Sequence, residues 1–297
     1  MAEAAEQLDT RTVVVFANLS DNEAMGQPLF SPSSMFWKVN RELASGLAGP
    51  RAVLMQIAHP LIAAGVAEHS RFRKHRFARL YRTSMAAAAI TFGSRDLALR
   101  TIEIINRRHQ RVHGMLQKEA GAYPRGTRYD ANDPELKLWV LGTIIESTLL
   151  VHDLFVAPLS DRQREQYYTD SLIVAKLFDI PEHLTPPTWV DFHRYMRTMM
   201  ESEVISVSET GREIAHELFS PSVEGTLLYF GSAVSIGLLP ERLRNEFGFK
   251  WTRRRDRWLA RMASASRRVR GHLPLIVCSS PWATWSEWRA ATQPQPR

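Results

Sequence analysis

Leu97-Ala-Leu-Arg-Thr-Ile-Glu-Ile-Ile-Asn-Arg-Arg-His-Gln-Arg-Val-His-Gly-Met-Leu116 carries the pattern that decides the fold class. Ile102, Ile105, Val112 and Leu116 recur at three- and four-residue steps, which puts them on one face of an α-helix. The spacing predicts a helix over 97–116. His109 falls inside the apolar stripe, and His113 lies at its edge, nearer Asn106, Gln110 and Gln117. A histidine on a buried face needs a partner. It can be a core residue bonded to a backbone carbonyl or a glutamate. It can also hold a metal or a haem iron, since neutral imidazole is the commonest such ligand.

The same period extends in both directions. Helices are expected over 36–47, 80–91, 136–159, 162–178, 190–201, 212–219, 226–238 and 251–269. Breaks fall at Gly121–Asp133, Pro181–Pro187, Ser220–Gly225 and Pro240. Thr12–Phe16 reads as a short strand, but no long run alternates with a period of two, so a sheet is not expected. The fold class read from this is all-α. Residues 1–33 form an N-terminal arm, 34–270 one helical domain, and 271–297 a tail with three tryptophans among Pro and Ser. No Gly/Ser linker divides the chain.

Composition narrows the function classes. With 44% hydrophobic and 23% charged residues in 297, the chain can bury a large core. One cysteine, Cys278, excludes a disulfide framework and a cysteine-type zinc site. Lys plus Arg number 38 against 31 for Asp plus Glu, a net +7 that tolerates anionic partners. No nucleic-acid partner is expected, because the basic stretches match no recognised binding module. No basic segment followed by an apolar run opens the chain, so no signal peptide is expected. The longest apolar stretch, Leu136–Leu159, contains Glu146, His152 and Asp153 and reads as a buried helix rather than a bilayer span. The expected location is cytoplasmic, with peripheral membrane contact through basic residues.

Three further segments place polar groups among apolar ones. Arg79, Arg82 and Thr83 stand on one helical face that runs into the apolar Met85–Ile90. Such a face is either solvated or buried against an anion, and guanidinium suits carboxylate or phosphate. Arg51–Glu68 is apolar nearly all round, but His59-Pro60 interrupts it. Proline there breaks or kinks the helix, making either a pocket wall or a boundary between two short helices. Glu146 and Asp153 share a face of the 136–159 helix and are candidates to neutralise the Arg79–Arg82 face. A lone Glu213-Ile-Ala-His216 falls short of the paired motifs a di-iron bundle needs.

Gln56-Ile-Ala-His-Pro-Leu-Ile-Ala-Ala-Gly-Val-Ala-Glu-His-Ser70, Arg79-Leu-Tyr-Arg-Thr83, His109-Gln-Arg-Val-His-Gly114 and Tyr129-Asp-Ala-Asn-Asp-Pro-Glu-Leu-Lys-Leu-Trp-Val140 occur in this order. Together they resemble the helical oxygenase family of bacterial latex-clearing proteins (rubber oxygenases) and the fungal mpaB-type oxygenase, from about Trp37 to Pro240. The resemblance implies a globin-like all-α bundle enclosing haem b. It implies His109 as the proximal iron ligand, with Arg79, Arg82 and Thr83 over the distal side and His59 near the cofactor. The arginines would meet the haem propionates, and Arg82 or Thr83 would donate a hydrogen bond to dioxygen. Where latex-clearing proteins carry lysine this chain has Arg82, which stays protonated and cannot coordinate iron. Leu141 stands where many relatives have histidine. The implied activity is oxygenation of a hydrophobic small molecule, an isoprenoid or unsaturated lipid rather than polymeric rubber. Two other readings stand beside it. One is a non-catalytic lipid- or haem-binding protein, held to anionic membrane by Arg253–Arg255 and Arg267–Arg270. The other is a non-haem metal site at His109 and His113, one helical turn apart.

Overall fold

The computed structural model describes residues 26–69, 76–219 and 226–292. The Thr12–Phe16 strand and most of the N-terminal arm lie outside the described residues. The chain is helical nearly throughout, as expected. In order come α1 (Met35–Asn40), a 3₁₀ turn (Leu43–Leu47), α2 (Ala48–Ile57), α3 (Pro60–His69), α4 (Arg76–Phe92) and α5 (Arg95–His109). A small hairpin of β1 (His113–Met115) and β2 (Arg128–Asp130) follows, then α6 (Pro134–Phe155), α7 (Asp161–Leu177) and α8 (Trp189–Glu201). The chain continues with α9 (Glu209–Phe219), α10 (Thr226–Gly237), α11 (Glu241–Glu246), α12 (Arg253–Arg270), α13 (Leu275–Cys278) and α14 (Pro281–Thr292).

The centre is α2 against α6. Asp133 caps α6 by accepting from the Glu135 amide at 2.8 Å, and Pro134 occupies the first turn, where a missing N–H costs nothing. Trp139, Ile145, Leu149, Val151 and Phe155 are then buried around the helix, so its apolar length serves a core. α6 is long and apolar enough to cross a membrane, but most of that stretch is buried inside the protein. Gly142 lets α8 come close, because a Cβ there would meet Met196 Sδ at 2.9 Å.

His59-Pro60 proves to be a boundary. α2 ends at Ile57 and α3 begins at Pro60, with proline in its first position. The tail adds to the body. On α14, Ala283 is fully buried, Ser286 Oγ donates to the Phe92 carbonyl at 2.8 Å, and Glu287 accepts from Trp37 Nε1 at 2.8 Å.

Two readings need correction. The 97–116 segment is not one helix: α5 stops at His109, and His113 begins β1. Val112 and Leu116 keep helical spacing, yet they pack with Leu61, Tyr129 and Leu136 from a turn and a strand end. His109 and His113 are therefore not one turn apart on a helix, and their shared metal site falls. Glu146 and Asp153 have ion-pair partners that differ from the expected Arg79–Arg82 face. Glu146 pairs with Arg51, and Asp153 with Arg164 at 2.7 Å.

Candidate functional site

α4 and α5 pack together and are joined only by Gly93 and Ser94. So short a link makes them an antiparallel helical hairpin. Ser94 caps α5 by accepting from the Leu97 amide at 3.3 Å. Gly93 is required by close approach, since a Cβ would stand 2.3 Å from the Ala89 carbonyl oxygen and 2.8 Å from Leu97 Cδ2. In an antiparallel pair the start of α4 and the end of α5 lie at the same, open end. The Arg79–Thr83 segment and His109 thus belong to the two helices of one hairpin, both well away from its link. Arg82 is half-buried and Thr83 exposed, while the side chain of Arg79 lies outside the described residues.

His109 ends α5 half-buried against β2 and the first turns of α6. Its Nδ1 is buried and has no hydrogen-bond partner. Burial, with the Lys137 ammonium adding to it and Asp130 opposing, holds the imidazole below its usual pKa and so neutral at pH 7. Asn106, three residues earlier on the same helix, also has a buried and unpartnered Oδ1. Buried polar atoms are almost always paired, so two orphans one turn apart on α5 leave hydrogen-bonding capacity unused there. Among the described residues no three His, Cys, Asp or Glu converge as a metal-holding cluster. What α5 offers is a single imidazole.

The end of α5 is held from the far side by the β-hairpin. Val112 accepts from the Ala131 amide at 2.9 Å, and His113 pairs with Asp130. Tyr129 Oη donates to Glu68 Oε2 at 2.5 Å, tying the hairpin to α3, and burial with that carboxylate pushes the phenol pKa up. Gly114 makes room, because a Cβ there would lie 2.5 Å from Tyr129 Oη.

His59 is placed differently. It is 2% exposed, and both ring nitrogens are in use. Nδ1 accepts from the Leu61 amide at 3.3 Å, so in the neutral ring Nε2–H donates to Tyr123 Oη, also 3.3 Å away. Burial lowers its pKa to about 4. In this arrangement His59 fastens the α2–α3 break to the loop before β2.

Two features were not read from the sequence. Arg51, inside the apolar run of α2, is 2% exposed and donates to Leu238 O at 2.8 Å, to Ser147 Oγ at 2.6 Å and to Glu146. A guanidinium nine residues from the nearest formal charge, Glu42, gives no local cue to a partner on another helix. The second is a cavity of about 20 Å³, room for roughly one water, bounded by Met85, Ala89, Phe92, Leu97, Trp282 and Trp285. It lies one turn beyond Arg82 and is closed by α14, the segment expected to be tail.

The chain is similar to two mycobacterial proteins, "Uncharacterized protein Mb2261" of Mycobacterium bovis and "Uncharacterized protein Rv2237" of Mycobacterium tuberculosis. Each is 25% identical over 233 residues, covering 74% of this chain and 88% of the relative. No solved structure matches it significantly. The family model described as "ER-bound oxygenase mpaB/B'/Rubber oxygenase, catalytic domain" matches residues 37–268, most of the chain and all of α2–α11. The open end of the α4–α5 hairpin falls inside that span, and the chain belongs to the mpaB/rubber oxygenase catalytic-domain family, whose function is of the oxygenase type.

Proposed function

We propose that this protein is a b-type haem-dependent oxygenase acting with dioxygen on a hydrophobic isoprenoid or unsaturated lipid. One observation carries the reading: His109 holds a neutral imidazole with a buried, unpartnered nitrogen at the open end of the α4–α5 hairpin. A ligand imidazole must be neutral and must have a free nitrogen, so the residue fits the group. Bound haem would supply dioxygen and one-electron chemistry that side chains lack.

The chain's own residues would do the rest. His109 would hold the iron and set its orientation. Arg82, half-buried on α4 and permanently protonated, would bind a propionate carboxylate or donate a hydrogen bond to a polar oxygen. Thr83 follows it on the same turn and adds a hydroxyl donor. Met85 and Ala89 of α4 and Ile102 and Ile105 of α5 would keep the cleft dry, which favours an apolar substrate and strengthens each polar contact inside it. His59 would act through position, keeping the α2–α3 wall in place.

The test is an absorption spectrum of protein expressed with iron and haem precursor, before and after dithionite and carbon monoxide. A Soret band that carbon monoxide shifts, absent in His109→Ala, is expected. Oxygen uptake with an isoprenoid should then separate turnover from storage. Folded protein that stays colourless after haem addition overturns the reading.

A further inference from the structure

α12 is an 18-residue helix with two unlike sides. Trp258, Leu259, Met262 and Ala263 face the body, and Ser266 Oγ donates to the Phe155 carbonyl at 2.8 Å. Arg254, Arg257, Arg261 and Arg268 are exposed. At 3.6 residues per turn these four fall within an arc of about 60° on the opposite side. Among the described residues none of them has an ion pair. The one acidic residue of the helix, Asp256, is engaged by Trp251 Nε1 at 2.6 Å. A row of cations about 21 Å long, without ion-pair partners among the described residues, is a surface for a polyanion.

The chain leaves α12 through a short turn into α13, a segment of unusual character. Leu273, Leu275, Ile276 and Val277 are all exposed, Ile276 to 67% and Val277 to 56%, and Val269 of the last helical turn is 55% exposed. Folded chains rarely spend consecutive large aliphatics on solvent without a use. Nor is this a loose end. Glu42 takes Arg270 in a two-pronged ion pair, 2.8 Å at each oxygen. The Glu42 backbone bridges Ser279, just past α13. Arg41 O accepts from the Ser280 amide at 2.6 Å. Both ends of residues 271–278 are thus held at one neck, and the aliphatic tip stands out from it beside Arg267 and Arg268.

We infer that this face docks on an anionic lipid surface: the Leu273–Val277 tip enters the acyl boundary and the Arg254–Arg257–Arg261–Arg268 row lies on the phosphate headgroups. Aliphatic tip and arginine row are adjacent and together match the two layers of such a surface, apolar below and anionic above. A nucleic acid would leave the aliphatic tip without a role, and the tip offers no aromatic anchor of the kind protein interfaces favour. The inference stands whether or not the chain binds haem. The tip follows residue 268, where the family match ends.

The experiment is flotation of the full chain with phosphatidylcholine vesicles, with and without phosphatidylglycerol. Binding is expected on the anionic vesicles alone and should fall as salt rises. Each headgroup-facing arginine contributes about fivefold, so changing Arg254, Arg257, Arg261 and Arg268 together to Gln should weaken binding by nearly three orders of magnitude, about 600-fold. Ile276→Asp with Val277→Asp should abolish it while the helical circular dichroism is unchanged. Ile276→Trp adds a direct reading, because its emission should shift to the blue with anionic vesicles. No flotation at low salt, flotation unchanged in either multiple variant, or an unshifted emission overturns the inference. If vesicles are ignored and Ile276→Asp instead turns a dimer into a monomer, the tip is a contact between copies and the lipid assignment is wrong.

Discussion

Arg51 of α2 sets its guanidinium against the Glu146 carboxylate of α6, with the arginine 2% and the glutamate 27% exposed. A second contact, Nη2 to Oε1, is 3.2 Å. The pair crosses the central helix contact of the fold, and Leu238 O and Ser147 Oγ satisfy remaining donors.

Removing one partner leaves the other charge buried. Glu146→Ala should cost about 3 kcal/mol or more in denaturant unfolding. Arg51→Met combined with Glu146→Leu should recover most of that loss, because an apolar pair of similar volume avoids the desolvation cost. A double variant as unstable as the single one would show that the hydrogen bonds to Leu238 and Ser147, rather than the charge, set the cost.

His109 has a lowered pKa, so its neutral form persists further into acid than that of an ordinary histidine. A ligand imidazole is released when protonated. Haem-loaded protein should therefore keep its Soret band down through pH 6.5, the usual histidine value, and lose it only below. Acid titration of the spectrum measures this, and a midpoint above 6.5 would contradict the assignment.

His59 has a clear linkage sign. Its folded pKa is about 4, against about 6.5 unfolded. Between those values the unfolded chain binds more protons, so stability falls as pH drops from 6.5 to 4 and this group adds nothing further below 4. The loss attributable to it is at most about 3 kcal/mol. His59→Gln, which retains an acceptor for the Leu61 amide, should flatten that part of the stability profile. Parallel urea titrations of both proteins at pH 7 and pH 4.5 compare the slopes.

Gly93→Ala should loosen the α4–α5 hairpin. The new Cβ would press on the Ala89 carbonyl, which is backbone and cannot swing aside. A cost of about 1–3 kcal/mol is expected in thermal or urea unfolding. Haem retention should weaken with it, since the link sets how the two helices meet. A variant as stable as the parent would show that the turn can open without cost.

Much of this was readable in advance, for physical reasons. Helical spacing found the helices because a 3.6-residue period is local. It also put His109 on the inner face, where the structure keeps its Nδ1 buried. The same spacing carried α5 past its end, because Val112 and Leu116 are buried by contacts outside the helix. The cations Arg107, Arg108 and His109 were the available stop signal, since a helix favours positive charge in its last turn. The pairing of Arg82 with His109 in one site came from the family resemblance rather than from any spacing in the sequence. Arg51 stayed hidden because its partners Glu146 and Leu238 are distant in sequence. The packing of α14 is hidden for a similar reason: its contacts lie at Trp37 and Phe92.

The Trp37–Glu287 bond joins residues 250 positions apart, so it also sets a schedule. Translation at about 5–20 residues per second puts roughly 12–50 s between the emergence of the two ends. Throughout that interval α1 is complete while the residue that receives its indole N–H does not yet exist. Once Phe92 is made, the nascent chain must hold Trp37 by packing alone, against Phe92, until α14 leaves the ribosome. A premature stop just before α14 would strand the product in that waiting state, and quality control would meet a helical body with its first tryptophan unfastened.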